Sequence, residues 1–321
     1  MIDKKTVFVL GAGASCPYGY PSGAVLRKQI CLDFKKYIAY LDDNMSDSLQ
    51  RQSMLKNIHH FAKIFFKSST GSIDLFLARN PQLSPTGKYI IAFKIFDDEH
   101  SSRFNEEALE NQDWYFYLFR RLTKSATTWE HIPDLSDGKI GFVTFNYDRS
   151  LEYFLYESLR NSFTNAPEHE IFRFLKGIKI VHVYGQIAPL EWQSPADYVP
   201  YAPKISESLL QKAAVNIKTI YEQKESPELN EARQLLAQAE RIFFLGFGYA
   251  PENLEVLKLP DRTKRATEIY GTAFGLKPKE KLDIREKIKE WLPVEFIDQV
   301  NIGYLMGPKN MDCLELLKNY W

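Results

Sequence analysis

The residues best suited to chemistry in this 321-residue chain stand at the ends of short apolar runs. The first run, Val7–Leu10, is typical of a strand buried on both faces and leads directly into Gly11-Ala12-Gly13-Ala14-Ser15. Gly11 lets the chain turn sharply, and Gly13 lacks a side chain, so a phosphate can approach the backbone. Because a helical pattern follows, N–H groups near a helix N-terminus would favour an anion. The segment predicts a phosphate cradle, and a strand-to-helix turn without a ligand is the alternative.

Three later segments also follow directly on apolar runs: Asn146-Tyr147-Asp148, Tyr184-Gly185 and Gly246-Phe247-Gly248. In open parallel sheets, ligands bind outside the carboxyl ends of the strands. We therefore expect these segments and the first glycine loop to converge on one crevice, although they are far apart in the sequence.

The same four segments resemble, in order, the motifs of the sirtuin family. The first loop, continued by Gly19-Tyr20-Pro21, resembles the family's Gly-Ala-Gly-x-Ser, three residues, Gly-x-Pro. Thr144–Asp148 resembles Thr-x-Asn-x-Asp, and Val181–Gly185 stands where the family has a strand ending in His-Gly. Leu245–Gly248 resembles the late Gly-x-Ser strand end. The details are most similar to the sirtuin-like proteins of bacterial anti-phage defence, which consume NAD.

The resemblance implies an NAD hydrolase (NAD glycohydrolase) that cleaves the bond between nicotinamide and ribose and lets water attack the oxocarbenium-like sugar. It implies that Asn146 orients the water and the ribose hydroxyls, and that Asp148 holds the loop or contacts the nicotinamide side. The pyrophosphate would lie on Gly11, Ala12, Gly13 and Ser15, and we expect Gly13→Val to abolish binding while the fold persists. Further contacts are expected at Gly185, Gly246, Gly248, which replaces the family's serine, and Asn253.

One departure from the family concerns its general base, a histidine that precedes the glycine where this chain has Tyr184. A tyrosine titrates near 10, so only about one in a thousand is ionised at pH 7. His182 lies two residues earlier, on the same face of the predicted strand, and is the other candidate catalytic residue. The alternative for His182 is a buried core histidine.

Two functions therefore remain open. The first is an NAD hydrolase of anti-phage defence, favoured by Asn146 and Asp148. The second is a catalytically degenerate module or regulatory subunit that binds NAD or an ADP-ribose derivative, favoured by Tyr184. A Rossmann dehydrogenase is a weaker third possibility, because the Asn-x-Asp segment has no evident place in it.

The three cysteines of the chain, Cys16, Cys31 and Cys313, count against a sirtuin deacylase. None belongs to a Cys-x-x-Cys pair, whereas the deacylases hold a structural zinc on two such pairs. We therefore expect no metal and no deacylation. A sparse, odd number of cysteines also fits a reducing compartment, which predicts a cytoplasmic protein.

The composition narrows the class of partner. The 41 basic and 41 acidic residues balance to zero formal net charge, which disfavours nucleic acid as the main ligand. The chain has no apolar run that approaches the length of a membrane span, so we expect neither a signal peptide nor a membrane span. A protein partner or a homo-oligomer is left open.

Strand and helix patterns alternate in residues 136–321, which predicts an α/β fold with a doubly wound, Rossmann-like parallel sheet. The stretch 42–135 reads as helical throughout and predicts an inserted helical subdomain, so that 1–41 and 136–321 form the nucleotide-binding domain. Within the insertion, Ser72–Leu77 resembles a segment of the defence-type relatives. Its Asp74 is either a residue near the ligand or a helix N-terminal charge.

Overall fold

The computed structural model of this chain describes residues 4–32, 35–44, 47–102, 104, 113–124, 126–132, 138–220, 222, 226–257, 268–290 and 311–321. Its strands are β1 (Thr6–Leu10), β2 (Ile140–Thr144), β3 (Lys179–His182), β4 (Arg241–Leu245) and β5 (Glu268–Gly271). They form one five-stranded sheet in the order β3-β2-β1-β4-β5, and each neighbouring pair is parallel. The predicted doubly wound, Rossmann-like α/β sheet is confirmed.

Register brings the carboxyl ends of the three central strands level with one another. Leu10 at the end of β1 is opposite Thr144 of β2 on one side and Leu245 of β4 on the other. The strand order reverses direction at β1, which is the topological switch point where such sheets bind ligands. The segments that follow β1, β2 and β4 are therefore brought to one edge of the sheet.

A row of aromatic rings crosses one face of the sheet at the level of Phe8. Phe8 stacks on Phe142 of β2 and on Phe243 of β4, at ring-centroid distances of 5.1 and 5.5 Å. Phe243 in turn stacks on Tyr270 of β5 at 5.2 Å. These pairs occupy matching register positions, so that strand pairing and ring packing support the same alignment.

The α-helices of the described residues are α1 (Ala12–Ser15), α2 (Gly23–Leu32), α3 (Lys35–Asn44), α4 (Ser48–Lys67), α5 (Ile73–Arg79), α6 (Ser84–His100), α7 (Trp114–Thr123), α8 (Ser150–Ser162), α9 (Glu168–Gly177), α10 (Glu207–Asn216), α11 (Pro227–Gln238), α12 (Pro251–Leu257), α13 (Pro278–Lys289) and α14 (Cys313–Tyr320). Side chains that accept first-turn N–H groups mark several starts: Asp47, Ser72, Asp113, Ser206, Ser226 and Asp312. Each is a short polar residue of the type that caps helices. Within the described ranges, no helix has the length and apolar character that crossing a membrane requires.

The described elements of the stretch 42–135 are α-helices and single-turn 3₁₀ helices joined by short turns, and they pack against the sheet residues through one continuous hydrophobic core. Polar contacts reinforce this packing. The indole Nε1 of Trp114 donates to the carbonyl of Ala14 at 2.8 Å, and the hydroxyl of Tyr18 donates to Asp113 at 2.9 Å. The division of the chain into two units stays a prediction.

The apolar pattern of residues 178–184 predicts a strand over that whole range, whereas β3 ends at His182. The chain turns there, because Gly185 has a φ of +82° and donates its N–H to the carbonyl of His182 at 3.2 Å. The carbonyl of Tyr184 accepts from the N–H of Lys218 at 2.9 Å instead of from a strand. The rule that side chains two residues apart on a strand share a face therefore does not apply to His182 and Tyr184. Their side chains lie in different surroundings. The predicted strand at 267–271 is found at Glu268–Gly271, and Thr267 lies outside the described residues.

Candidate functional site

A cavity of about 430 Å³ lies at the carboxyl ends of β1, β2 and β4, within the size range of small-molecule sites. Most of the residues predicted for the site line it: Gly11, Ala12, Gly13, Asn146, Asp148, Tyr184, Gly246, Gly248 and Asn253. Ser15, His182 and Gly185 do not line the cavity. Ser15 and His182 nevertheless contact Asn146, so they support its wall from behind.

The glycine loop after β1 is locked to the end of β4 by backbone contact. The N–H of Gly11 donates to the carbonyl of Leu245, and that of Gly13 to the carbonyl of Gly246, both at 3.0 Å. A Cβ on Gly13 would lie 2.8 Å from the Cα and the carbonyl oxygen of Gly246. Gly246 has a φ of +56°, and a Cβ there would lie 2.0 Å from the nitrogen of Ala14. Gly13 is therefore required by the meeting of two strand ends before any ligand is considered, and Gly13→Val would disturb the fold itself.

Asn146 is the most firmly held polar side chain of the cavity wall. Its Nδ2 donates to the carbonyl of Gly11 at 3.1 Å and to the Oγ of Ser15 at 3.0 Å. Its backbone N–H donates to the Oγ1 of Thr144 at 3.1 Å. Both amide protons are thus used, and no described residue donates to its Oδ1, which makes that atom an acceptor for a ligand hydroxyl or water.

His182 is buried behind Asn146, with both ring nitrogens engaged. Nδ1 lies 2.9 Å from the backbone carbonyl of Asn146 and therefore carries a proton, while Nε2 lies 2.6 Å from the Oε1 of Glu152. Burial lowers the pKa of His182, but the charge of Glu152 and its hydrogen bond outweigh burial, and the pKa is raised above its usual value. The doubly protonated ring is favoured, and it has no lone pair with which to act as a base. This geometry favours a positioning role over the predicted catalytic one.

Tyr184 lines the cavity but is equally unsuited to accept a proton. Its hydroxyl donates to the Oδ1 of Asn253 at 2.7 Å, and the side chain is only 1% exposed. Burial raises the pKa of Tyr184, and the nearby Asp74 and Glu252 carboxylates raise it further. A phenol in this state is a hydrogen-bond donor, so the structure joins the two predicted residues Tyr184 and Asn253 as one wall.

Asp148 is buried at the edge of the cavity, where its Oδ1 accepts from both the backbone N–H and the hydroxyl of Ser150. Burial raises the pKa of Asp148, and the hydrogen bonds from Ser150 lower it in part. The pKa of Asp148 is raised overall. The side chain thus both fixes the start of α8 and supplies a carboxylate to the cavity, which agrees with its predicted role of holding the loop.

The helical insertion supplies another part of the cavity wall, and sequence patterns alone do not predict this part. Asp74, in the first turn of α5, accepts from the hydroxyl of Tyr147 at Oδ1, and its Oδ2 accepts from the Oγ of Ser72 at 3.2 Å. Asp74, Ser72 and Tyr147 all line the cavity. Asp74 is thus a first-turn acid of α5 and also part of the cavity wall, and its role toward a ligand stays a prediction. Tyr147 was missed as a site residue because its aromatic side chain reads as strand-end core.

Glu152 was also missed, although it holds His182. It lies in the first turn of α8, where an acidic residue is typical of a solvent-exposed helix start, yet it is only 1% exposed. The sole signal in the sequence is the coincidence of a strand histidine with an acid on the preceding helix, which is too common a pattern to identify a pair.

The three cysteines are free thiols, with Cys16 exposed and Cys31 and Cys313 buried. In the part of the chain that the structure describes, no group of three or more His, Cys, Asp or Glu side chains is arranged to hold a metal ion. The polar groups of the cavity are hydroxyls, amides and carboxylates, which suit an organic ligand.

Comparison with known proteins adds no further assignment, because neither a protein-family model nor a curated protein matches the chain. The resemblance to sirtuins accordingly rests on the four strand-end segments and on Ser72–Leu77.

Proposed function

We propose that this protein is an NAD hydrolase that converts NAD to nicotinamide and ADP-ribose, as the sirtuin-like effectors of anti-phage defence do. One observation carries the proposal: the strand-end segments that resemble the NAD-binding motifs, far apart in the sequence, line a single cavity at the switch point of the sheet. The ends of parallel strands share one edge whatever their sequence, so the support lies in the residue types that meet there: two glycine segments, an amide and a carboxylate.

The reaction breaks the bond between the nicotinamide nitrogen and ribose C1′, and the bonding electrons leave with nicotinamide. Water then adds to C1′ and loses a proton. In this proposal Asn146 orients the water and the ribose through its Oδ1, because its Nδ2 is already fixed by Gly11 and Ser15. The carboxylates of Asp74 and Asp148 are the bases that the described cavity wall offers. Burial is the first cause that raises the pKa of each, which makes each a better proton acceptor.

The test is release of nicotinamide from NAD by the purified protein, followed by chromatography. We expect Asn146→Ala to abolish release, because the water and the ribose lose their orienting group. Asn161→Ala, a matched change on the exposed face of α8, should leave the rate unchanged. Absence of both turnover and affinity at millimolar NAD would contradict the proposal.

A second function, binding of NAD or ADP-ribose without turnover, is favoured by a specific observation. His182 is paired with Glu152, and the Tyr184 hydroxyl is committed to Asn253, so neither candidate base of the family position is free to accept a proton. NAD binding without nicotinamide release would support this function. The wild type must first be tested with a candidate partner component. If it still releases no nicotinamide and the Tyr184→His variant does, the natural chain is a degenerate binder.

A further inference from the structure

The described wall of the cavity carries carboxylates but no cationic side chain. Asp74 and Asp148 are its ionisable acids, and none of its described residues is Lys, Arg or His. Arg27 follows the lining residue Leu26 along α2, but its guanidinium donates to the carbonyls of Phe65, Phe66, Ser68 and Thr70. Arg27 therefore caps the end of α4, and its positive charge is not part of the cavity wall.

Asp74 is the carboxylate that the insertion brings over the cavity. Its hydrogen-bond partners in the described chain, Tyr147 and Ser72, are neutral. Burial is the largest cause of the raised pKa of Tyr184 and of Tyr147, and the Asp74 carboxylate is the next cause for each. The carboxylate therefore acts on the space between α5 and the end of β3 without a counterion from the wall.

Aromatic rings line the same space. Phe145 meets the rings of Tyr184 and Phe247 edge-on, at centroid distances of 5.3 and 5.1 Å, and all three line the cavity together with Tyr147. Aromatic faces attract cations through their quadrupole, and aromatic walls are the usual means of recognising a quaternary nitrogen. An anionic carboxylate beside several rings is the chemistry that suits a flat, positively charged ring.

We infer that Asp74 is a specificity-determining residue that makes the cavity select a ligand with a cationic ring, so that oxidised NAD binds in preference to NADH. This inference rests on the proposed function. The pyridinium of oxidised NAD carries a positive charge, whereas the dihydropyridine of NADH is neutral and nearly the same size. Discrimination between the two is therefore electrostatic and is lost when the Asp74 charge is removed.

The experiment is calorimetric titration of the protein with NAD and with NADH at a pH of about 8, chosen on the alkaline side because burial raises the pKa of Asp74. We expect NAD to bind at least roughly tenfold more tightly, which corresponds to about 1.4 kcal/mol. In Asp74→Asn, which keeps the shape of the side chain, the ratio should approach one through weaker NAD binding, with NADH affinity unchanged. Asp283→Asn, an exposed acid on α13, is the matched control and should keep the wild-type ratio.

Equal affinities in the wild type, or an unchanged ratio in Asp74→Asn, would overturn the inference and leave the proposed function standing. A second pair of probes separates the two claims: 1-methylnicotinamide, a cation, and nicotinamide, its neutral analogue. If neither dinucleotide binds, the proposed function fails. The inference then survives only if 1-methylnicotinamide binds more tightly than nicotinamide and Asp74→Asn removes that preference.

Discussion

His182 illustrates how burial and pairing decide what a side chain can do. On a strand end beside a ligand cavity, a histidine suggests a general base. Here its two nitrogens hold the carbonyl of Asn146 on one side and the carboxylate of Glu152 on the other. These contacts favour the charged form of the ring and fix the loop on which Asn146 stands.

The raised pKa of His182 predicts a pH dependence of stability. Because the folded-state pKa is above the unfolded value of about 6.5, the pair stabilises fully below that value and loses its contribution as pH rises through the folded pKa. We expect the free energy of unfolding of the wild type to decline over this range relative to His182→Gln. Urea denaturation of both proteins between about pH 6 and 9 measures the difference. Parallel curves for the two proteins would show that the pKa of His182 is the same in the folded and unfolded states, which would contradict the stabilising pair.

The junction of β1 with the first turn of α1 contacts the loop that follows β4, and three glycines form this contact. Gly11 and Gly13 face Gly246 so closely that Cβ atoms at 11 and 13 would lie 2.6 and 2.8 Å from its carbonyl oxygen. Side chains are excluded because backbone meets backbone. The glycine pattern thus serves the joint between two strands, and the shape of the cavity follows from that joint.

The contact predicts that Gly13→Ala destabilises the fold even without a ligand. The added methyl group must push two strand ends apart, and overpacking of this kind typically costs about 1–3 kcal/mol. Gly248→Ala is the matched control, because a Cβ at Gly248 would meet nothing within 4 Å. We expect that variant to be neutral or slightly more stable, since alanine restricts the unfolded chain. Chemical denaturation measures both, and equal stabilities would contradict the role given to the joint.

Patterns in the sequence predict the strand ends well and the insertion wall poorly, for a physical reason. A parallel strand buried on both faces needs an unbroken apolar run, so Val7–Leu10 and its partners can be identified locally, and the residues that follow them must share one edge. A helix pattern tells only which face is buried. It does not tell which neighbour that face meets, so the approach of Asp74 to Tyr147 could not be derived. The pairing of Glu152 with His182 escapes prediction for the same reason.

At the scale of the whole molecule, a buried ion pair connects the insertion to the sheet residues. Arg149, at the start of α8, donates from Nε to the Oε1 of Glu99 on α6 at 2.7 Å and from a terminal nitrogen to the Oε2 at 3.0 Å. Its other donors reach the carbonyls of Val199 and Pro200 at 2.6 and 2.7 Å. Both charged side chains are fully buried. One guanidinium therefore joins α6, α8 and the long loop after β3.

Removal of one partner of this ion pair should strongly lower the free energy of unfolding. Glu99→Gln leaves the charge of Arg149 buried without its carboxylate, a change that typically costs about 3–5 kcal/mol. Glu157→Gln, which removes the partner of the more exposed Arg160, should cost less than about 1 kcal/mol. In urea denaturation we expect one transition at a lower midpoint for Glu99→Gln, because insertion and sheet share a core. A cost below about 1 kcal/mol, or two separate transitions, would show that the pair does not join them.

The place of β1 at the centre of the sheet has a consequence for synthesis on the ribosome. Its neighbours β2 and β4 begin only at Ile140 and Arg241, so the strand leaves the ribosome long before either can pair with it. At usual rates of translation, the second neighbour follows on the order of ten seconds later. During that interval five residues destined for full burial stand unpaired. The strand that is fully buried in the native protein is thus the one that most needs chaperones to cover it while the chain is made.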